Sequence, residues 1–364
     1  MKISQIIETL EDFAPLDLQE SFDNSGLQVG DISQNLRGIL LCLDVTEEVL
    51  EEAMELDCNL VIAHHPLLFK PIKKLAGKTY IERCIMKACK NDLVIYAAHT
   101  NIDNAFGGLN FYLAEKLGLQ NLRILNPQKN DLLKLVTFVP EAQAESVRNA
   151  LFNAGAGCIG NYDLCSFNVS GKGTFRAGEQ TRPFVGNRHE MHTEPEIRIE
   201  TIIPVQKRAA VLRTLSAVHP YEEPAYDLYP LANDWNESGS GVTGELPFPE
   251  EEEAFLQRLK TIFKLQSIKH SSFTGKMIRE VALCGGSGAF LIPDALAYGA
   301  DVFITGEAKY NDYFDVENRI LLAVIGHYES EIITKELFYD VITKKITNFA
   351  IHFSTTNINP VNYL

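Results

Sequence analysis

Val61-Ile62-Ala63-His64-His65-Pro66-Leu67-Leu68-Phe69 runs from an apolar segment of strand character into two adjacent imidazoles, and Pro66 then stops any continuation. Successive strand side chains point to opposite faces, so neighbouring histidines within a regular strand do not share one ion. At a frayed strand end they splay towards two neighbouring ions. Working outward, Gly38-Ile39-Leu40-Leu41-Cys42-Leu43 precedes this stretch and Leu93-Val94-Ile95-Tyr96-Ala97-Ala98 follows it, with helical patterns at 47–56 and 80–90 between them. Strands alternating with helices predict an α/β domain with a largely parallel sheet, whose working crevice lies outside the carboxyl ends of the strands. The third strand also ends in polar residues, Ala98-His99-Thr100-Asn101-Ile102-Asp103, so His64, His65, His99 and Asp103 are expected at one edge.

From about residue 128 the texture changes. A strand at 134–140, a helix at 141–155, alternating residues at 157–190 and 197–204, a helix at 205–218 and a strand at 226–231 read as a βαββαβ-like, ferredoxin-like or PII-like module. The run Asn236-Glu237-Ser238-Gly239-Ser240-Gly241 reads as its exit linker. Within the module, His189-Glu190-Met191-His192 reads as a hairpin and His219-Pro220-Tyr221-Glu222-Glu223-Pro224 as a rigid turn, not as metal sites. The α/β texture then resumes, with Val281-Ala282-Leu283-Cys284 running into Gly285-Gly286-Ser287-Gly288, which reads as a tight turn more readily than as a phosphate cradle. A last strand at 320–326 leads to His327-Tyr328-Glu329-Ser330-Glu331 and a helix expected to reach about 346.

Arg37 to His65 and Arg279 to Glu307 echo one another, since Cys42 to Asn59 and Cys284 to Asp301 have equal spacing. Each half then adds a strand ending in a histidine with an acid four residues on: His99 with Asp103, His327 with Glu331. The expected architecture is a discontinuous α/β/α layered core of two related halves, residues 1–127 and 246–364, with residues 128–245 as an inserted α+β PII-like (ferredoxin-like) domain.

At 364 residues, two domains are the first expectation. A net charge of −15, with 33 Lys+Arg against 48 Asp+Glu, disfavours binding to a phosphate backbone. Seven scattered cysteines without a C-x-x-C pair argue against a zinc ribbon and fit free thiols in a reducing cytoplasm. The amphipathic, acidic amino terminus lacks a signal-peptide core, and no segment is apolar for long enough to span a membrane, so the protein is expected in the cytoplasm.

His327 and Glu331 stand at i and i+4 and share one helix face. Together with His64, His65 and Asp103 they mix imidazole and carboxylate, which suits two divalent ions such as zinc, iron or manganese. Five ligands leave a dinuclear centre with open positions, the arrangement of a metal-dependent hydrolase that activates water. His99 is expected as a proton shuttle or as a partner orienting a ligand.

The sequence also resembles the GTP cyclohydrolase I type 2 / Nif-three-like family of dinuclear-metal proteins. The resemblance rests on Phe22-Asp23-Asn24-Ser25-Gly26-Leu27-Gln28-Val29-Gly30, His64-His65-Pro66, Ala98-His99-Thr100-Asn101-Ile102-Asp103, His219-Pro220-Tyr221-Glu222-Glu223-Pro224-Ala225-Tyr226, Thr305-Gly306-Glu307 and Gly326-His327-Tyr328-Glu329-Ser330-Glu331. It runs from end to end and includes the long form's PII-like (CutA-like) insert. It implies metal ligands at His64, His65, Asp103, His327 and Glu331 and a homohexameric ring. It also implies action on a small molecule, GTP ring opening being the family's namesake. The alternative is a non-catalytic metal-binding regulatory or metallochaperone-like protein with a PII-like sensor module. Two positions depart from the pattern: Phe22 replaces the usual Trp, and Asn311 stands where many members carry His.

Overall fold

The computed structural model describes residues 1–129, 132–233, 235–356 and 359–362. The chain divides into two compact units, Met1–Pro127 with Glu237–Leu364, and Gln128–Asn236.

The first unit opens with α1 (Ile3–Phe13), β1 (Gly26–Val29), β2 (Ile39–Cys42), α2 (Glu47–Glu55), β3 (Leu60–Ala63), α3 (Tyr80–Lys90), β4 (Val94–Ala97), α4 (Thr100–Asn104), α5 (Leu109–Lys116) and β5 (Gln120–Gln128). Every residue of β2, β3 and β4 is buried, which is why these strands read as continuous apolar runs. One face of this sheet packs on α2 and α3 through Leu40, Val61 and Ile95 against Val49, Leu50, Ile85 and Ala88. Thr46 caps α2 by accepting the Val49 N–H, and Glu47 and Glu48 complement its amino-terminal dipole.

The second unit contains β6 (Leu132–Pro140), α6 (Ala144–Asn153), β7 (Ser166–Arg176), β8 (Met191–Pro204), α7 (Arg208–Val218) and β9 (Tyr226–Pro230). Its antiparallel sheet has the order β7-β8-β6-β9. Val147, Leu151, Val211 and Leu215 of the two helices bury its apolar face together with Leu135, Ile199 and Ile203.

The first unit is completed by β10 (Trp235–Glu251), α8 (Glu252–Ile262), β11 (Lys269–His270), β12 (Met277–Cys284), α9 (Ile292–Tyr298), β13 (Val302–Thr305), α10 (Asp312–Asp315), β14 (Leu321–Val324), α11 (His327–Glu331), α12 (Thr334–Lys345) and β15 (Ile351–Phe353). Its two sheets have the orders β1-β4-β3-β2-β15 and β11-β14-β13-β12-β10-β5. In both, three parallel strands carry the same register: Cys42 stands opposite Ala63 as Cys284 stands opposite Thr305. The turns match as well. Asn59 Oδ1 accepts the Arg37 N–H at 2.8 Å, and Asp301 Oδ2 accepts the Arg279 N–H at 2.9 Å.

The structure corrects several expectations. The Asn236–Gly241 run lies in β10 and is not a linker, so the chain returns to the first unit at Glu237 and not at 246. Ser238 is buried and bridges Ala105, and Gly239 and Gly241 allow the tight approach, because a Cβ on Gly239 would meet the Asn126 carbonyl at 2.2 Å. The glycine-punctuated Gly26–Val29 segment is an edge strand antiparallel to β4. The long terminal helix breaks into α11 and α12, where Thr334 Oγ1 takes the Glu331 carbonyl at 2.6 Å and competes with the helical ladder.

β15 was not expected at all; it pairs with β2. Buried Glu52 of α2 pins its end, accepting Ser354 Oγ at 2.6 Å, the Thr355 N–H at 2.7 Å and Thr356 Oγ1 at 2.8 Å. Burial alone would raise the Glu52 pKa, but these bonds outweigh it and hold the carboxyl at about 2. A carboxyl whose folded value lies below its unfolded one stabilises the fold above the unfolded value near 4.5, and that contribution is lost as pH falls towards 2. Glu52→Gln is therefore expected to lower the unfolding free energy by ~1–3 kcal/mol at pH 7. Urea titrations at pH 7 and pH 3 check this; a difference from the parent that does not shrink at the lower pH rejects the assignment.

Candidate metal centre

Within the first unit, the carboxyl ends of β3, β4 and β12 and the helix α11 meet at one cavity of about 630 Å³. His65, His99, Asp103, His327 and Glu331 line it, with Phe22, Phe69 and Phe290 as apolar walls. His64 lies just behind, fully buried. All six residues singled out in the sequence come together.

The two adjacent histidines follow the last residue of β3 and diverge there, their rings 5.0 Å apart and tilted by 47°. His64 Nδ1 lies 2.9 Å from the Ala98 carbonyl, so its proton sits on Nδ1 and Nε2 is the nitrogen left to act as a ligand. His65 Nδ1 lies 2.8 Å from Asp44 Oδ1, and its Nε2 lies 2.9 Å from Glu331 Oε2 and 3.3 Å from His327 Nε2. His327 Nδ1 is 3.3 Å from Glu307 Oε1, and Ser287 Oγ steadies that carboxylate from 2.7 Å. Each imidazole thus has an acceptor behind it and presents Nε2 forward, the arrangement that orients histidine ligands.

The forward atoms fit a cation better than they fit each other. His64 Nε2 and Asp103 Oδ1 are buried without a hydrogen-bond partner, 3.8 Å apart, and His64 Nε2 is 3.7 Å from Glu331 Oε1. Those separations are too long for hydrogen bonds, whereas two ligands each ~2.0–2.2 Å from a shared ion stand roughly 3.3–3.8 Å apart. Two groups of ligand atoms are close enough to hold an ion, His64 with His65 and His99, and His65 with His327 and Glu331. His65 stands in both groups, Asp103 in neither, and His99, expected as a proton shuttle or orienting partner, stands in the first.

The electrostatics set the two adjacent histidines apart. Burial lowers the His64 pKa to about 4, so the ring is neutral, the form that coordinates metal. Burial also acts to lower that of His65, but its bonds to Asp44 and Glu331 prevail and raise it to about 10. Burial and repulsion from Glu331 push the Asp103 carboxyl well above its ordinary range. Burial opposes ionisation of Glu331 too, but hydrogen bonding led by His327, with His65, holds it far below its usual value. The charge of Glu331 thus opposes ionisation of Asp103, and a cation between the two would relieve that repulsion.

His99 has a different setting. Its Nδ1 lies 2.7 Å from Asp23 Oδ1, whose side chain is fully buried. Burial tends to raise the Asp23 pKa, but hydrogen bonding and charge from His99, with Thr100 and the Asn24 amide, hold it well below the usual range. Asp23 therefore stays ionised, fixes the His99 tautomer and leaves Nε2 as the acting nitrogen.

Three participants were not read from the sequence. Asp44 and Asp23 orient His65 and His99; Asp44 follows β2 at its carboxyl end, the position at which α/β sheets place working residues. Gly286 approaches so closely that a Cβ on it would stand 2.1 Å from Glu331 Oε1. The surrounding glycine run is a tight turn whose amides are already used: Gly285 N–H bonds Asn110 Oδ1, Gly286 N–H bonds Ser330 Oγ and Gly288 N–H bonds Thr305 Oγ1. Asn311 is exposed at the start of α10 and does not line the cavity.

The family model for Duf34/NIF3 (NGG1p interacting factor 3) matches residues 1–360. This chain belongs to that family. Among its DUF34/NIF3 relatives, a Halalkalibacterium halodurans protein named GTP cyclohydrolase 1 type 2 homolog is 41% identical over 85% of this chain and 85% of the relative. A Bacillus subtilis protein of the same name is 35% identical over 99% of this chain and 98% of its own length. The crystal structure of a Bacillus cereus protein related to NIF3 superposes with a TM-score of 0.86 at 37% identity, covering 100% of this chain and 99% of that one. No helix among the described residues is long and apolar enough to cross a membrane.

Proposed function

We propose that this protein is a divalent-metal-dependent hydrolase with a dinuclear centre held by His64, His65, Asp103, His327 and Glu331. The observation that carries the reading is the pair of buried, unbonded ligand atoms, His64 Nε2 and Asp103 Oδ1, facing one another across 3.8 Å. Two ions in this donor set, zinc, iron or manganese, supply Lewis acidity and acidify coordinated water. The chain's own residues do the rest. Phe22, Phe69 and Phe290 give the cavity an apolar border, and His99, oriented by Asp23, holds or moves a proton at Nε2. The names of the curated relatives favour a nucleotide such as GTP, opened at its ring, as substrate. The βαββαβ order of the second unit supports a PII-like insert. The seven free cysteines fit a reducing cytoplasm. The homohexamer rests on the family resemblance.

Metal analysis followed by a turnover screen on the same sample tests the reading. The expected result is two ions per chain and metal-dependent consumption of a nucleotide or phosphoester. A protein carrying both ions that turns over neither leaves the non-catalytic, metal-binding alternative. Asp23→Asn should keep both ions but lower kcat by ~10²–10⁴-fold, as expected for losing the partner that sets a proton-handling histidine. Unchanged kcat in that variant removes His99 from the chemistry.

A further inference from the structure

The second unit has a pocket of its own. It lies on the sheet face that α6 and α7 leave uncovered. Across β7 and β8, Gly171 pairs with Glu196 and Val169 with Arg198, while Ile197 and Ile199, one step out of phase, pack towards the helices. The loop 177–184 and the turn 219–225 close over this face and enclose about 610 Å³.

Glu196 forms the floor. It is only 8% exposed; Oε1 accepts the Tyr221 hydroxyl at 2.8 Å, and Oε2 takes no hydrogen bond among the described residues. Gly173 makes room for it, since a Cβ there would stand 2.0 Å from Oε2. Tyr221 is itself fixed by His219, whose Nδ1 accepts the Tyr221 backbone N–H at 3.1 Å. The His219 proton must then sit on Nε2, which donates to the Phe138 carbonyl at 3.0 Å. The turn around His219 therefore aims Tyr221 and Glu196 into the cavity.

The walls are aromatic, and the lining carries four cations, Lys172, Arg176, Arg182 and Arg198, against the exposed Glu222 and Glu223 and the buried Glu196. The Phe175 and Phe184 rings lie 5.8 and 6.4 Å from that of Tyr221, tilted by 60° and 54°, and Phe184 remains 50% exposed at the mouth. Lys172, Arg176 and Arg182 line the same cavity, and among the described residues their charged groups meet no carboxylate. In a chain of net charge −15, three such cations around one opening stand out. A buried carboxylate with an unused oxygen asks for N–H donors, aromatic faces ask for a flat ring, and unpaired cations ask for an anion.

We propose that this pocket is a second small-molecule site, which takes a planar heterocycle with two adjacent N–H donors on one edge and an anionic substituent, the class of guanine nucleotides. Glu196 reads the donor edge, Phe175, Phe184 and Tyr221 pack on the ring, and Lys172, Arg176 and Arg182 meet the phosphates. An adenine ring sets an acceptor beside its single donor on the corresponding edge and so opposes a carboxylate oxygen.

Calorimetric titration of the full-length protein and of its His64→Ala variant with GTP, ATP and guanosine, all in EDTA, separates this pocket from the metal centre. The expected result is one saturable GTP site per chain in both proteins, with ATP weaker by ~10-fold or more. Glu196→Gln, which conserves shape, should weaken GTP and guanosine alike by ~10-fold or more. Arg182→Ala should weaken GTP and leave guanosine unchanged. Phe184→Ala, at an exposed position that does not endanger folding, should weaken both. The proposal is overturned by absent GTP binding, by equal GTP and ATP affinity that Glu196→Gln leaves unchanged, or by GTP binding that disappears with His64→Ala. A change of oligomeric mass in Glu196→Gln or Phe184→Ala without a change in ligand affinity also overturns it, and assigns the face to a second copy of the chain.

Discussion

If the proposed centre holds two divalent ions, Glu331→Gln is expected to reduce the metal content to one or none, and to weaken any remaining ion by ~100-fold or more. Glu331 is 3% exposed, and its two oxygens face three histidines, Oε1 towards His64 at 3.7 Å and Oε2 towards His65 and His327 at 2.9 Å each. Its carboxylate thus stands within 4 Å of three of the other four residues in the candidate ligand set. The glutamine keeps the shape and removes the charge, so the change isolates the electrostatic contribution. Mass-spectrometric metal analysis after dialysis, with a competing chelator to obtain affinity, checks the result. Two equivalents retained at the parent's affinity would falsify the bridging position of Glu331.

Gly286→Ala should damage the same centre without touching a ligand. At Gly286 the backbone has a φ of +57°, a left-handed conformation that an L side chain adopts at some cost, and the added methyl would lie 2.1 Å from Glu331 Oε1. The turn cannot easily move aside, because Gly286 N–H is bonded to Ser330 Oγ and its carbonyl accepts the Glu307 N–H at 2.9 Å. The displaced carboxylate should lose metal almost as completely as Glu331→Gln does, while thermal unfolding of the metal-free protein shifts by only about 1–3 kcal/mol. Metal content and metal-free stability measured on one preparation decide the matter: full metal content shows that the carboxylate relaxes around the methyl.

Much of this molecule was legible because buried parallel strands leave a strong trace. Ile39–Cys42, Leu60–Ala63 and Val94–Ala97 are covered on both faces, so they could only be apolar runs, and the polar residues just beyond them mark the working edge. The i,i+4 spacing of His327 and Glu331 likewise told that they share a helix face, and they stand 2.9 Å apart. The edge strand Gly26–Val29 and the short strand Ile351–Phe353 left no such trace. Each is brief, partly exposed and held by pairing partners far away in the chain.

The sequence by itself determined the alternation of strands and helices, the two matching halves and the six residues at the candidate centre. These follow from side-chain periodicity and from what a strand end can present, both of which are local properties. The tertiary structure alone decided how those residues face one another. His65 and Glu331 are 266 positions apart in the chain, yet their charged atoms are 2.9 Å apart. Such an approach comes from folding two separate sheets of one unit so that their carboxyl-end residues reach one cavity, and short-range pattern carries no information about it. The same holds for Asp44 and Asp23 behind the imidazoles, for the space that Gly286 leaves beside Glu331, and for the carboxylate of Glu196 under Tyr221. Each is set by distances between segments that only the folded chain brings together.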